Sequence, residues 1–319
     1  MKRLPEPIVV LGGSGFIGTN LVKRLVSDGY SVTAVSRVFP EFRMPLLEGA
    51  TLCHKDLRSK DAVLSVVAGA GTVFHLAADM GGVGYMHSEA DLPASTDNGT
   101  MTANVMNACE RTGVKRLFFA SSACSYPIDD QQGDPAPKLH EYQLRSNSAP
   151  DALYGMEKRR GMELASKLPF ARVGVLHTIY GPYQEHEGVR MKFPPAIATK
   201  ALMAKETGLL EIWGDGTQLR SYQYIDDAVE KILRITADDV YYGPVNIGYS
   251  GAISCLDVAK LCLRLVGAES AQIILKPAAP TGVASRDSDN SKFNRMYGRM
   301  AEVPYEEGFS RLLDWLGSL

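Results

Sequence analysis

Ile8-Val9-Val10-Leu11-Gly12-Gly13-Ser14-Gly15-Phe16-Ile17-Gly18 is the stretch that decides the fold. Its first four residues are a continuous apolar, mostly β-branched run, the pattern of a parallel strand buried on both faces. Glycines at 12, 15 and 18 follow as G-x-x-G-x-x-G. Apolar residues at 16/17, 21/22 and 25/26 then carry helical spacing to Val26. Strand, glycine turn and helix in this order make a pyrophosphate site. Glycine permits the tight turn and lets backbone N–H groups approach the anion, and the helix N-terminus adds a favourable dipole. Two rival motifs fail. A P-loop needs Lys after Gly18, where Thr19 stands, and a nucleophile elbow needs glycine where Phe16 stands.

Outward from this unit the chain keeps alternating. Strands are predicted at Ser31–Val35, Thr72–Leu76, Leu117–Ser121 and Arg172–Leu176, and helices at Asp61–Ala70, Thr100–Cys109 and Ala152–Leu168. Alternation of this kind predicts an α/β fold, a Rossmann-type doubly wound parallel sheet with helices on both faces. Between Ser125 and Pro150 the periodicity lapses and Pro127, Pro135, Pro137 and Pro150 break any element, so a long functional loop is expected. Beyond Gly181-Pro182 the pattern is irregular, with a helix over Phe193–Lys205, a turn at Gly214-Asp215-Gly216 and a helical run from Asp226-Asp227 to near Ile235. The expected division is a dinucleotide-binding domain of residues 1–175 plus about 222–248, and a smaller α/β substrate-binding domain of 176–221 and 249–319.

Length and composition fit that division. The chain has 319 residues, about two domains at roughly 150 residues each. Thirty-four Lys+Arg against 36 Asp+Glu leave a net charge of −2, which argues against nucleic acid as a partner. No stretch reaches the 18 or so apolar residues of a membrane span, and Met1–Pro7 does not read as a secretory leader. The five cysteines, at 53, 109, 124, 255 and 262, have neither disulfide-like nor metal-like spacing, and the six histidines show no metal spacing. A reducing cytoplasm and no metal are expected. Cys109 and Cys262 lie in apolar helical patterns and read as core; Cys53 and Cys255 read as packing.

The residue after the second strand bears on the cofactor. An acid there would bind the ribose 2′-OH of NAD, and an arginine would pair the 2′-phosphate of NADP. Ser36-Arg37 leans to NADP, with a merely solvated Arg37 as the alternative reading. Asp56 is expected to accept a hydrogen bond from the adenine amino group.

The chemistry-bearing residues come later. Tyr154-Gly-Met-Glu-Lys158 is Y-x-x-x-K, which on a helix sets tyrosine and lysine on one face. The lysine is expected to lower the tyrosine pKa and to bond the nicotinamide ribose, leaving a phenolate base. Upstream, Ser122 lies at a strand end, where it can bond the same substrate hydroxyl. With these features in order, the chain resembles the extended short-chain dehydrogenase/reductase family of nucleotide-sugar enzymes over nearly its whole length. The resemblance implies a Ser122/Tyr154/Lys158 triad and a cofactor held by Gly12, Gly15, Phe16, Ile17, Gly18, Arg37, Asp56, Leu57, Leu76, Ala77, Ala78, Tyr154 and Lys158.

Longer matches narrow it. Ala77-Ala78-Asp79-Met80-Gly81-Gly82-Val83-Gly84-Tyr85 is similar to the A-A-D-M-G-G-M-G-F of the GDP-mannose 3,5-epimerase family. Ser121 to Pro127 is similar to its S-S-A-C-I-Y-P, Ile212 to Ser221 to its W-G-D-G-x-Q-T-R-S, and Arg190-Met191-Lys192-Phe193-Pro194 to its R-E-K-A-P. Arg286-Asp287-Ser288-Asp289-Asn290 resembles R-N-S-D-N. His177-Thr178-Ile179-Tyr180-Gly181-Pro182 is similar to H-N-I-Y-G-P, and the departures include Thr178 for Asn, Ser125 for Ile, Met191 for Glu and Asp287 for the first Asn of R-N-S-D-N. This resemblance implies that Cys124 and Lys192 form an acid/base pair, that Gly82, Ser122, Cys124, Lys192, Arg220 and Arg286 meet the substrate, with the two arginines at a diphosphate, and that the protein is a homodimer acting on a GDP-hexose. The chemistry is consistent: C3–H and C5–H of a hexose become acidic only when C4 is a ketone, so transient C4 oxidation precedes proton removal on one face and return on the other. A GDP-fucose synthase-like 3,5-epimerase/4-reductase, NADPH-dependent and with His in place of Lys192, is the nearest rival. A Rossmann-fold protein that binds cofactor without chemistry is the rival of another class.

Overall fold

The computed structural model describes residues 2–319 apart from 87, 134–136 and 241, and the side chain of Met86. Six strands form along the first part of the chain, all but β3 near the predicted positions: β1 (Ile8–Leu11), β2 (Val32–Ser36), β3 (Thr51–His54), β4 (Thr72–His75), β5 (Arg116–Ser122) and β6 (Ala171–Leu176). With β7 (Val245–Ile247) they build one sheet in the order β7-β6-β5-β4-β1-β2-β3, every neighbouring pair parallel. Alternate residues of β1 face opposite cores: Ile8 and Val10 lie in one buried cluster, Val9 and Leu11 in the other. Burial on both faces explains why the strand reads as an unbroken apolar run. Successive connections leave β1 toward β3 on one side and toward β6 on the other. Between β1 and β4 the strand order reverses, and the carboxyl ends open a crevice there.

The helix between β4 and β5 departs from the sequence expectation. It spans Asp91–Thr112 rather than starting at Thr100. Its first two turns are mostly polar, with Ser95, Thr96, Asp97 and Asn98 in a row, so no apolar period announces them. Asn98 bonds the backbone of Asp79, Thr102 bonds His75 and Glu157, and Asn104 donates to the carbonyls of Leu57 and Arg58. Pro93 falls in the first turn, where a missing N–H costs nothing, and Gly113 ends the helix at φ +71°.

The 125–150 stretch is not featureless. Short 3₁₀ turns occupy Asp129–Gln131 and Glu141–Arg145, while Pro135 lies outside the described residues. Ile128 N–H donates to Ala149 O (2.9 Å) and Leu139 N–H to Asp287 O (2.8 Å). Arg159 donates to the carbonyls of Ser125, Ser146 and Ser148. These bonds fasten the stretch over the carboxyl end of the sheet.

After β6 the chain builds smaller sheets: Thr178–Tyr180 with Tyr222–Tyr224, Leu209–Trp213 with Gln272–Lys276, and Leu219–Arg220 between Ile253–Ser254 and Ser285–Arg286. The helix Ile225–Ala237 leads back to β7. At its centre the buried Lys231 donates to Gln223 Oε1 (2.7 Å), Gly248 O (2.8 Å) and Glu302 Oε1 (2.6 Å), tying the two parts of the chain together. No helix among the described residues is long and apolar enough to cross a membrane.

Candidate active site

The glycine turn sits at the β1–β4 crossover. A Cβ on Gly12, whose φ is +84°, would lie 2.6 Å from Ala77 N, and one on Gly18 would lie 2.1 Å from Gly12 O. Both positions therefore exclude side chains, one packing the turn on the end of β4 and the other packing the helix on the turn. The helix Phe16–Ser27 starts at Gly15 with no side-chain cap and no acid in its first turn. Its N–H groups are thus available to an anion. Ser14 N–H donates to Ser36 Oγ (3.0 Å), and Arg43 Nη1 donates to Ser14 O (3.1 Å), holding the turn from behind. Bare glycines, a free helix end and no nearby acid fit a dinucleotide's pyrophosphate.

Around that cradle, Arg37 is exposed past the end of β2, Leu57 is buried in the core, and Asp56 lies beside Arg58. Hydrogen bonds from the Arg58 guanidinium hold the Asp56 carboxyl at about 2.

The candidate site groups read from the sequence converge at the end of β5. Ser122 Oγ accepts from Cys124 N–H (3.2 Å), which closes the turn Ala123–Ser125, and it stands close enough to the Tyr154 hydroxyl to favour its ionised form. Tyr154 is buried near the start of the helix Ala152–Ala165, its hydroxyl 3.8 Å from Met80 Sδ. Gly155 is required next to it: a Cβ there would be 2.2 Å from Cys124 O. The helix therefore lies directly on the cysteine turn. Lys158 follows one turn on, with Nζ 5.6 Å from the Tyr154 ring centre, 5.3 Å from that of Phe119 and 3.7 Å from Glu157 Oε2.

The Tyr154 hydroxyl stands above its ordinary pKa, not below it. Burial, then the neighbouring Cys124 and Glu157, push the hydroxyl well above its usual value, and Ser122 and Arg286 offset this only in part. Lys158 Nζ stands over the Tyr154 ring and beside the Glu157 carboxylate.

Cys124 is half-buried among cations. The Arg286 guanidinium acts electrostatically on its thiol, donates from Nε to Gln131 Oε1 (2.6 Å) and pairs with Asp151. Lys192 and Arg220 also act electrostatically on the thiol. Lys192 caps the helix Phe193–Thr207. Burial pulls its ammonium pKa down, Cys124 opposes that, and Arg286 adds to it. Gly82 has no room for a side chain, since a Cβ would sit 2.5 Å from Met191 O. Arg220 donates to the carbonyls of Leu219 (2.7 Å) and Val283 (2.8 Å). Ser122, Cys124, Tyr154, Lys192 and Arg286 thus share one neighbourhood. Ser125, the departure from Ile, is buried with its Oγ 3.1 Å from Ser121 Oγ.

The other cysteines differ in kind. Burial pushes the Cys109 and Cys262 thiols up to about 12 and raises that of Cys255. Iodoacetamide at pH 8 is expected to modify Cys124 and the half-buried Cys53 while sparing these three, as read by peptide mass spectrometry. Labelling of Cys109 or Cys262 in the folded protein would contradict their placement.

The NAD dependent epimerase/dehydratase family model matches residues 8–248. A GDP-mannose 3,5-epimerase 1 of Oryza sativa subsp. japonica is 35% identical over 318 residues, covering 97% of this chain and 81% of that protein. This chain belongs to the NAD dependent epimerase/dehydratase family. Its members need not share one reaction. A UDP-glucuronic acid decarboxylase 1 of Xenopus tropicalis is 26% identical, covering 97% of this chain and 71% of that protein. The solved structure of MoeE5 in complex with UDP-glucuronic acid and NAD is 27% identical with a TM-score of 0.79, covering 98% of this chain and 99% of that one. An enzyme of this family with a Rossmann-type sheet accounts for the cradle at Gly12–Gly18 and for NAD as the family's cofactor.

Several contacts at the site carry no sequence motif. Arg43 is buried between Ser14 O, Tyr183 O (2.9 Å) and Glu185 Oε2 (2.8 Å). Asn246 gathers Tyr126 OH (2.7 Å), His177 Nε2 (3.3 Å) and the carbonyl of Leu139 (2.8 Å) around one amide. Burial lowers His177 to about 4, so it is a neutral partner in that network. The only sequence signal for either was a polar residue inside an apolar or irregular run.

Proposed function

We propose that this family member is a nucleotide-sugar 3,5-epimerase of the GDP-mannose 3,5-epimerase kind. One observation carries the reading: a half-buried thiol, Cys124, and a lysine whose charge burial disfavours, Lys192, stand in one electrostatic neighbourhood beside the Ser122–Tyr154 pair. A decarboxylase or a 4-epimerase has no need of a second acid/base pair beside its tyrosine.

In this proposal Gly12, Gly15, Gly18, Arg37, Asp56 and Lys158 hold the dinucleotide, and Arg220 and Arg286 face the anionic part of the substrate. Bound NAD supplies the hydride acceptor and donor for C4. Tyr154 takes the proton of the 4-hydroxyl, steadied by the Ser122 hydroxyl. With C4 a ketone, the Cys124 thiolate removes the proton from the adjacent carbon, and the Lys192 ammonium returns one on the opposite face, inverting that carbon. Cations beside a thiol and burial around an amine are the settings that suit these two tasks. A homodimer and a cytoplasmic location belong to the same proposal, the second because Cys124 must stay reduced.

The test is incubation with GDP-mannose in D₂O without added cofactor, following C3–H and C5–H by NMR. Deuterium entry with new hexose signals is expected. No exchange at either carbon with several sugar nucleotides would overturn the reading. NADPH consumption with a 4-keto-6-deoxy sugar nucleotide would favour the 3,5-epimerase/4-reductase that Arg37 suits.

A further inference from the structure

Two segments from opposite parts of the chain meet beside Lys192. Arg190 Nη2 donates to the Tyr85 hydroxyl (3.1 Å), that hydroxyl donates to Asp79 Oδ1 (2.8 Å), and Arg190 Nη1 closes the ring on the same carboxylate oxygen. The guanidinium also lies over the Tyr85 ring, 4.6 Å from its centre. Asp79 is no floating acid. The buried Asn98 side chain accepts from its N–H (2.6 Å) and donates to its carbonyl (2.9 Å). Asp79 stands four residues past the end of β4 and two past Ala77, which packs on Gly12. A frame therefore runs from the pyrophosphate turn, through Asp79, to Arg190, two residues before Lys192. Gly82 lets the segments touch a second time at Met191 O, and Lys192 O accepts from Ala196 N–H (3.2 Å) to start the next helix. Tyr85 replaces the Phe of the resembling segment, so its hydroxyl is this chain's own addition.

We propose that the Asp79–Tyr85–Arg190 clamp is a positioning device that holds Lys192 on its face of the sugar and so decides whether a removed proton returns with inversion. The proposal rests on the acid/base roles given above. When Cys124 removes the proton and the Lys192 ammonium is in place, a proton arrives from the opposite face and the carbon inverts. When the ammonium is displaced, the Cys124 thiol is the nearest donor and returns a proton to the face it came from. In the inverting case Cys124 ends protonated and Lys192 neutral, and solvent resets both; in the other case both groups end as they began, and the returned proton carries solvent deuterium once the half-buried S–H has exchanged with D₂O. A shift of about 1 Å in a reacting group costs on the order of 100-fold, so a clamp this close to the lysine controls the partition.

The clamp lies at the surface, with the Arg190 side chain 42% exposed, and a pair so exposed adds little to global stability. Arg190→Met is therefore expected to fold with an unchanged melting temperature. In D₂O with GDP-mannose, the wild type is expected to place deuterium mainly in inverted sugar. Arg190→Met is expected to keep deuterium entry within about threefold but to deliver it into sugar of the starting configuration, lowering the ratio of inversion to exchange about tenfold or more. Arg190→Lys, which keeps the charge but loses the fork, should recover part of the ratio, and Tyr85→Phe should lower it by a smaller factor. An unchanged ratio in folded Arg190→Met, or exchange and inversion falling together, overturns the clamp. Absence of exchange in the wild type overturns the underlying function instead, so the two failures are distinct.

Discussion

Cys124→Ala is expected to remove deuterium entry at C3 and C5 of GDP-mannose, by about 1,000-fold or more, while C4 oxidation stays detectable as absorbance of the reduced cofactor. General acid–base groups contribute on the order of 10²–10⁴-fold, and here no other side chain is placed to take over on the same face. Arg286, Lys192 and Arg220 surround the thiol, and all three are cations. Tyr154 stands beside Ser122. The variant should fold, because the thiol is half-buried rather than core, and the backbone contacts that shape its turn, Ser122 Oγ to Cys124 N–H and Cys124 O to Asp151 N–H, do not use the side chain. Removing the thiol leaves Arg286 with Gln131 and Asp151, so no charge is stranded. Retained exchange in Cys124→Ala would mean that the base is another group and that the cation cluster serves only the substrate's phosphates. Loss of both exchange and C4 oxidation would mean that Cys124 holds the site together rather than moving protons.

What the sequence made legible follows a physical rule. Local patterns that arise from backbone requirements were readable: β1 as an apolar run, glycines 12 and 18 where a Cβ would strike backbone within 2.6 Å, and Tyr154 with Lys158 one helical turn apart. Features set by tertiary contact were not. The first turns of the helix from Asp91 were hidden because they are mostly polar, and the buried Asn98 among them is satisfied by Asp79, 19 positions away. The environment of Tyr154 was not legible because helical spacing sets which face Lys158 shares but not how deeply the tyrosine hydroxyl is buried. Arg43, Asn246 and the Asp79–Arg190 contact join segments 29 to 142 residues apart, and nothing in either segment names its partner. Cys124 with Lys192 was reachable only through the resemblance of two separate motifs.

Tyr154→Phe is expected to abolish both C4 oxidation and exchange at C3 and C5, each by about 1,000-fold or more. The two losses are linked by chemistry rather than by structure: without the ketone at C4 the neighbouring C–H bonds have no enolate to form, so an intact Cys124–Lys192 pair has nothing to act on. This separates the variant from Cys124→Ala, which should lose exchange alone. Stability should change little. The ring stays packed, and the hydroxyl's own contacts are the Ser122 hydroxyl and the long 3.8 Å approach to Met80 Sδ. Losing one such bond costs about 0.5–1.5 kcal/mol, within reach of a denaturant titration. Ser122 also keeps its role at Cys124 N–H, so the cysteine turn should survive. Supplying a substrate analogue already oxidised at C4 sharpens the test. Tyr154→Phe should regain exchange with that analogue, because the step it lacks has been done for it, whereas Cys124→Ala should not. If Tyr154→Phe stays inactive with the 4-keto analogue while its melting temperature is unchanged, the tyrosine takes part in proton movement at C3 or C5, and the division of labour between Tyr154 and the Cys124–Lys192 pair is wrong.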